Sequence, residues 1–179
     1  MRLLLEALAY IADGAHWSGS MGIARLLAQH AAYSLAAVAI AALIGMPIGW
    51  WIGHTGHGRA LVITLTGAVR ALPTLGLITM FGLALGIGLA APMLALVILA
   101  LPSALAGAYS GVESVDPTAV DGARGAGMSP LQILTRVEMP LGAPIMLGGL
   151  RAASLQVIAT GTLAAYTGAG GLGRLMFLG

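Results

Sequence analysis

Three long stretches of this chain carry no acidic or basic side chain: Leu26 to Gly58, Ala71 to Val112 and Ala152 to Gly173. A bilayer core about 30 Å thick is crossed by roughly 20 helical residues, so the first and third stretches each hold one span and the middle one most of two. Period-two alternation is absent, which argues against a membrane barrel and leaves helices. The pattern predicts an all-α, polytopic bundle with spans over about 30–52, 60–81, 93–111 and 141–166. Trp50-Trp51 ends the first span as an interfacial anchor would. Gly82, Gly86, Gly88 and Pro92 predict a break between the second and third spans, and Pro102 a kink inside the third. Residues 1–29, interrupted at Asp13-Gly14 and Ser18-Gly19-Ser20, read as an interfacial segment ahead of a membrane domain over 30–179.

Residues 112–140 break the pattern by gathering Glu113, Asp116, Asp121, Arg124, Arg136 and Glu138. Asp116-Pro117 and Ser129-Pro130 each set an N-cap residue before a proline at the first helical position. Two short helices, about 117–125 and 130–137, are predicted outside the membrane, with the segment ending at Pro140.

Composition supports lipid as the main solvent. Hydrophobic residues make up 59% of the chain and charged ones 8%, against about 25% charged in a soluble domain. There is no cysteine, which excludes disulfides and thiolate chemistry. Every basic residue is an arginine, and a P-loop requires a lysine, so ATP hydrolysis is not expected of this chain. A net charge of +2 without a basic run argues against nucleic acid as a partner. Orientation is not set by charge: Arg59, Arg124 and Arg136 fall on one side, and Arg2, Arg25 and Arg174 on the other.

Arg70 and Arg151 lie inside predicted spans, where an arginine costs at least about 2.5–3.5 kcal/mol on insertion scales. Either is a candidate for a solute pathway. Alternatively, Arg70 caps carbonyls freed near Pro73, and Arg151 snorkels to the nearer interface. Gln156, Thr160 and Thr162 are further pathway candidates, with bonding to their own helix as the alternative. The pair His54 and His57 reads as a loop without metal, no carboxylate being near in sequence. All four histidines read as lying outside the spans, so a membrane-embedded hydrolase built on Ser110 lacks its base. Gly45-x-x-x-Gly49, Gly82-x-x-x-Gly86 and Gly107-x-x-x-Gly111 fit close helix packing, but chance supplies such matches in so glycine-rich a chain.

The polar loop also carries a resemblance. Asp121-Gly122-Ala123, three residues, Gly127, nine residues and then Val137-Glu138-Met139-Pro140 match the spacing of the Glu-Ala-Ala loop of binding-protein-dependent ABC importer permeases. Gly122, in place of alanine, is the main departure. His30, Gly45-Met46-Pro47-Ile48-Gly49, Arg70-Ala71-Leu72-Pro73-Thr74-Leu75, Val115-Asp116-Pro117 and Gly168-Ala169-Gly170-Gly171-Leu172-Gly173 extend the resemblance to the glycine betaine/carnitine/choline branch. It implies a type I importer permease with a methionine-permease-like core, multi-pass in the cell's inner membrane. It also implies that the loop (Asp121, Gly122, Ala123, Gly127, Met128, Ser129, Pro130, Leu131 and Pro140) couples to an ATP-binding subunit holding ATP and Mg. The further partners implied are a second permease copy or paralogue, membrane lipid and an extracellular or periplasmic solute-binding protein. With three Trp, four Tyr and two Phe, the chain is poorly supplied for an aromatic cage, so the high-affinity solute site is expected on that binding protein. Another small solute, such as an amino acid, is the alternative. Members of this branch continue past Gly173 into a further span, and that span is expected to be missing here.

Overall fold

The computed structural model describes residues 2–178, except for the side chains of Leu3, Leu61, Arg70 and Leu178. Helix α1 (Arg2–Ala12) and a 3₁₀ turn (Gly14–Trp17) precede the long helix α2 (Ile23–Thr55). Helix α2 runs 33 residues, about 50 Å, longer than the roughly 30 Å hydrocarbon core. It extends beyond the expected 30–52 because nothing between Ile23 and His30 breaks a helix. Gly56, at φ 72°, ends it by donating its N–H to the Ile52 carbonyl.

The expected second span is two helices, α3 (Arg59–Ala71) and α4 (Thr74–Leu85), bent by 85°. Pro73 has no N–H and drives Leu72 into an extended conformation (φ −73°, ψ 129°), which stops α3. The turn after α4 holds Gly86 at φ 84° and Gly88 at φ 138°. Helix α5 (Ala90–Glu113) is the central element and continues through Pro102.

After α5 come α6 (Pro117–Gly125) and α7 (Pro130–Ile133). The second short helix does not stop at about 137, ahead of Pro140, as expected. It passes through a π-turn (Leu134–Glu138) into α8 (Met139–Thr160). Pro140 cannot donate to the Arg136 carbonyl, and the wider turn, with Met139 N–H on the Leu134 carbonyl, absorbs that gap. Helix α8 tightens into a 3₁₀ stretch (Gly161–Thr167), and α9 (Gly173–Leu178) follows.

Glycines let α5 sit between α2 and α8. A Cβ on Gly49 would lie 2.5 Å from the Leu105 carbonyl oxygen, and one on Gly107 would lie 2.7 Å from the Gly149 Cα. Gly45 and Gly53 face α5 as well, and Gly111 meets Gly142 and Met146. Two of the three spaced glycine pairs are thus true helix crossings. The third is not, since a Cβ on Gly86 would meet open space. Tyr33, Ala37, Ala41, Leu96, Ala100, Ala153 and Val157 fill one half of the core, and Ile52, Val62, Leu105 and Tyr109 the opposite half. The remaining faces, including Leu35, Leu43, Leu83 and Leu147, are exposed apolar surface suited to lipid.

Candidate functional site: the polar elbow and the His30 clamp

The polar loop is built by caps. Asp116 accepts the Thr118 N–H at 2.8 Å and Pro117 opens α6. That amide holds the Asp116 carboxyl below its ordinary value. Asp121 pairs with Arg124 at 3.0 Å on the exposed face. Helix α6 closes in a Schellman arrangement: Gly127 N–H donates to the Arg124 carbonyl at 3.0 Å, and Met128 N–H to the Ala123 carbonyl at 3.1 Å. Gly127 holds φ 82°, the left-handed conformation such a closure needs. Gly122 has open space where a Cβ would project, so its departure from alanine carries only a helix-propensity cost.

Ser129 and Gln132 then form a reciprocal capping box, with Ser129 N–H on Gln132 Oε1 at 2.8 Å and Gln132 N–H on Ser129 Oγ at 3.4 Å. Of the apolar side chains here, Ile133 turns into the chain at 2% exposure while Leu131 stands out at 69%. Met128 is half-buried. Because α7 runs on into α8, the exposed tip at Leu131 is the end of a rod that reaches across the bundle.

One side-chain contact fastens the base of this rod to α2, and a salt bridge beside it joins α3 to α5. Glu138, 6% exposed, meets His54 Nδ1 at 2.5 Å, and Arg59 meets Glu113 at 2.9 Å. The sequence places His54 in a loop with no carboxylate near it; in the fold it lies in the last turn of α2, against Glu138. Eighty-four positions separate the pair, so sequence proximity carried no signal of it. Among the described residues no group of three metal-binding side chains forms.

At the opposite end of the bundle α2 clamps the 161–171 segment. The sequence places His30 at the start of the first span, outside its apolar run, yet it is inside α2 and 4% exposed. Its Nδ1 bonds Tyr33 Oη and its Nε2 bonds the Ile158 carbonyl oxygen, each at 2.9 Å. Tyr33 Oη donates to the Gly161 carbonyl at 3.2 Å, and Gly171 N–H to Gln29 Oε1 at 3.3 Å. His30 and Tyr33 satisfy carbonyls where α8 gives way to the 3₁₀ stretch, and Gln29 accepts a backbone N–H beyond it. They also explain Gly170, since a Cβ there would fall 2.7 Å from Gln29 Oε1.

The pathway candidates do not form one cluster. Arg70 belongs to the last turn of α3, and its side chain lies outside the described residues. Pro73 is the N-cap of α4 at the bend. Thr160 Oγ1 donates to the Gln156 carbonyl at 2.7 Å and Thr162 Oγ1 to the Ala159 carbonyl at 3.0 Å, so both hydroxyls bond their own backbone. Gln156 is half-buried, and Arg151 is exposed in the middle of α8.

The chain matches the family model of the binding-protein-dependent transport system inner membrane component over residues 45–179. It is 30% identical over 151 residues to the choline transport system permease protein OpuBB of Bacillus subtilis (strain 168), covering 84% of this chain and 70% of that protein. It is 33% identical to the carnitine transport permease protein OpuCB of Listeria monocytogenes, with 84% and 69% covered. Against the osmoprotectant import permease protein OsmW of Salmonella typhimurium, identity is 31% and coverage 98% and 81%. An inward-facing structure of the MetNI methionine ABC transporter superposes with a TM-score of 0.75 at 19% identity, over 87% of this chain and 79% of that one. The helical arrangement is therefore that of a type I importer permease. The chain belongs to the binding-protein-dependent transport system inner membrane component family, as a multi-pass permease of the inner membrane.

Proposed function

We propose that this permease carries osmoprotectants of the glycine betaine, carnitine and choline class, and that residues 116–140 couple it to a separate ATP-binding subunit. Relatives named for choline, carnitine and osmoprotectant import support the solute class. The observation that carries the coupling role is the continuity of α7 with α8, which turns the exposed Leu131 tip into the loaded end of a span.

A nucleotide-driven push on Leu131 and Met128 travels along α8, since the π-turn keeps the helix unbroken. The His54–Glu138 pair passes it to the end of α2, and the glycine crossings pass it to α5. Close packing makes such motion rigid-body rather than elastic. A second permease, a copy or a paralogue, completes the assembly, and a solute-binding protein delivers cargo at the end that holds the His30–Tyr33 clamp. The test is ATP-dependent uptake by proteoliposomes holding this chain with its ATP-binding subunit and binding protein, with labelled glycine betaine, carnitine and choline in competition. Mutual competition is expected. ATP-dependent uptake of an amino acid, undisturbed by all three, would overturn the solute class.

A further inference from the structure

Arg151 is the one arginine near the middle of the continuous α7–α8 rod, inside the span expected over 141–166, and its surroundings define what it binds. It stands 13 positions beyond Glu138 and 9 before Thr160 on a continuous helix, about 20 Å from the His54–Glu138 contact and about 13 Å from the end of α8. Neither distance is within reach of an arginine side chain, so snorkelling does not solve its solvation. The face of α8 that packs on α5 is set by Gly142, Met146, Gly149 and Ala153. Arg151 is two positions from both Gly149 and Ala153, about 200° around the helix, and is exposed. Next to it, Gly148 has open space where a Cβ would project.

A guanidinium at that depth needs water or an anion. The charge-free stretches 26–58, 71–112 and 152–173 hold no Asp or Glu, so neither this chain nor a second copy of it offers a carboxylate at membrane depth. Among the described residues Arg151 makes no ion pair. We propose that Arg151 faces the water-filled solute path and binds the carboxylate of a zwitterionic solute, so that this permease favours glycine betaine and carnitine over choline. The inference rests on the solute class given under Proposed function and deepens it. A betaine or carnitine carboxylate suits the bidentate guanidinium fork. Choline has a hydroxyl in that place and a net positive charge, which the same guanidinium repels in a narrow path.

The experiment compares uptake of labelled glycine betaine and choline by the full reconstituted complex, for the native chain, Arg151→Gln and Arg151→Lys. The expected result is a fall of at least tenfold in the betaine-to-choline uptake ratio for Arg151→Gln, with Arg151→Lys restoring most of it. Equal losses for both solutes in Arg151→Gln, or an unchanged ratio, would overturn the role of Arg151 while leaving the osmoprotectant reading intact. Failure of the native complex to take up either solute would overturn both. A charge-paired partner permease supplying the counter-ion would appear as equal loss for both solutes, and counts against the proposal.

Discussion

Gly127 offers a sharp perturbation, because two glycines two positions apart should answer the same substitution with opposite signs. Gly127 sits at φ 82° and has open space around a would-be Cβ, so Gly127→Ala introduces backbone strain and no clash. That strain is about 1–2 kcal/mol for a non-glycine residue in the left-handed region. Gly125 is helical with equally open surroundings, and Gly125→Ala should gain about 0.5–1 kcal/mol of helix propensity. A penalty of about 1–2 kcal/mol raises the open population of the loop roughly 5- to 30-fold. The reporter is the Met128 amide, which closes the Schellman arrangement on the Ala123 carbonyl. Its hydrogen exchange should quicken by that factor in Gly127→Ala and slow in Gly125→Ala, and ATP-dependent uptake should fall only in the former. Equal exchange in both variants, or uptake unchanged in Gly127→Ala, would refute the reasoning.

At the α5–α8 crossing a Cβ on Gly149 would lie 2.6 Å from the Gly107 Cα, so Gly149→Val should lower the thermal unfolding temperature in detergent by an overpacking cost of about 1–3 kcal/mol. Gly148→Ala, one position away, helical and open, should not lower it and should raise it slightly through helix propensity. His54→Ala strands the buried Glu138 carboxylate, an unsatisfied-group cost of about 1–3 kcal/mol. Adding Glu138→Gln should recover part of that loss in a double-mutant cycle read by thermal unfolding. Asp116 has a lowered carboxyl pKa in the folded loop, so its contribution is fully present above the ordinary carboxylate value and is lost as pH falls through the lowered one. The protection factor of the Thr118 amide, its exchange rate relative to the intrinsic rate at the same pH, should therefore fall on acidification in the native chain but not in Asp116→Asn, which keeps a neutral cap.

Charge-free runs revealed α2, α5 and α8 because a bilayer excludes unpaired charge over a whole span, and the Asp116-Pro117 and Ser129-Pro130 signals located both helix starts of the elbow. Apolar continuity says nothing about direction, however, so the run from Ala60 to Phe81 concealed the 85° bend at Leu72-Pro73. Pro140 reads as a stop on local grounds alone. Inside the fold a π-turn removes the need for its missing N–H, and the elbow becomes part of a span. His30 looked like a boundary residue because imidazole is polar, whereas its partners, Tyr33 and the Ile158 carbonyl, make it a buried one. The spaced glycines were undecidable without their neighbours. Gly45/Gly49 and Gly107/Gly111 meet helices, and Gly82/Gly86 lies near a turn. The pathway is the least legible part, since Arg151 depends on what α8 faces in the assembled transporter.

Contact between the Leu131 tip and the ATP-binding subunit tests the coupling role most directly. The chain has no cysteine, so Leu131→Cys carries a single attachment point for a photo-activated cross-linker. Leu43→Cys, on the exposed face of α2, serves as the lipid-facing control. Coupling through the elbow predicts a cross-link from position 131 to the ATP-binding subunit in the reconstituted complex, with a yield that changes on adding ATP, and none to that subunit from position 43. No cross-link from position 131, or one of equal yield from both positions, would contradict it.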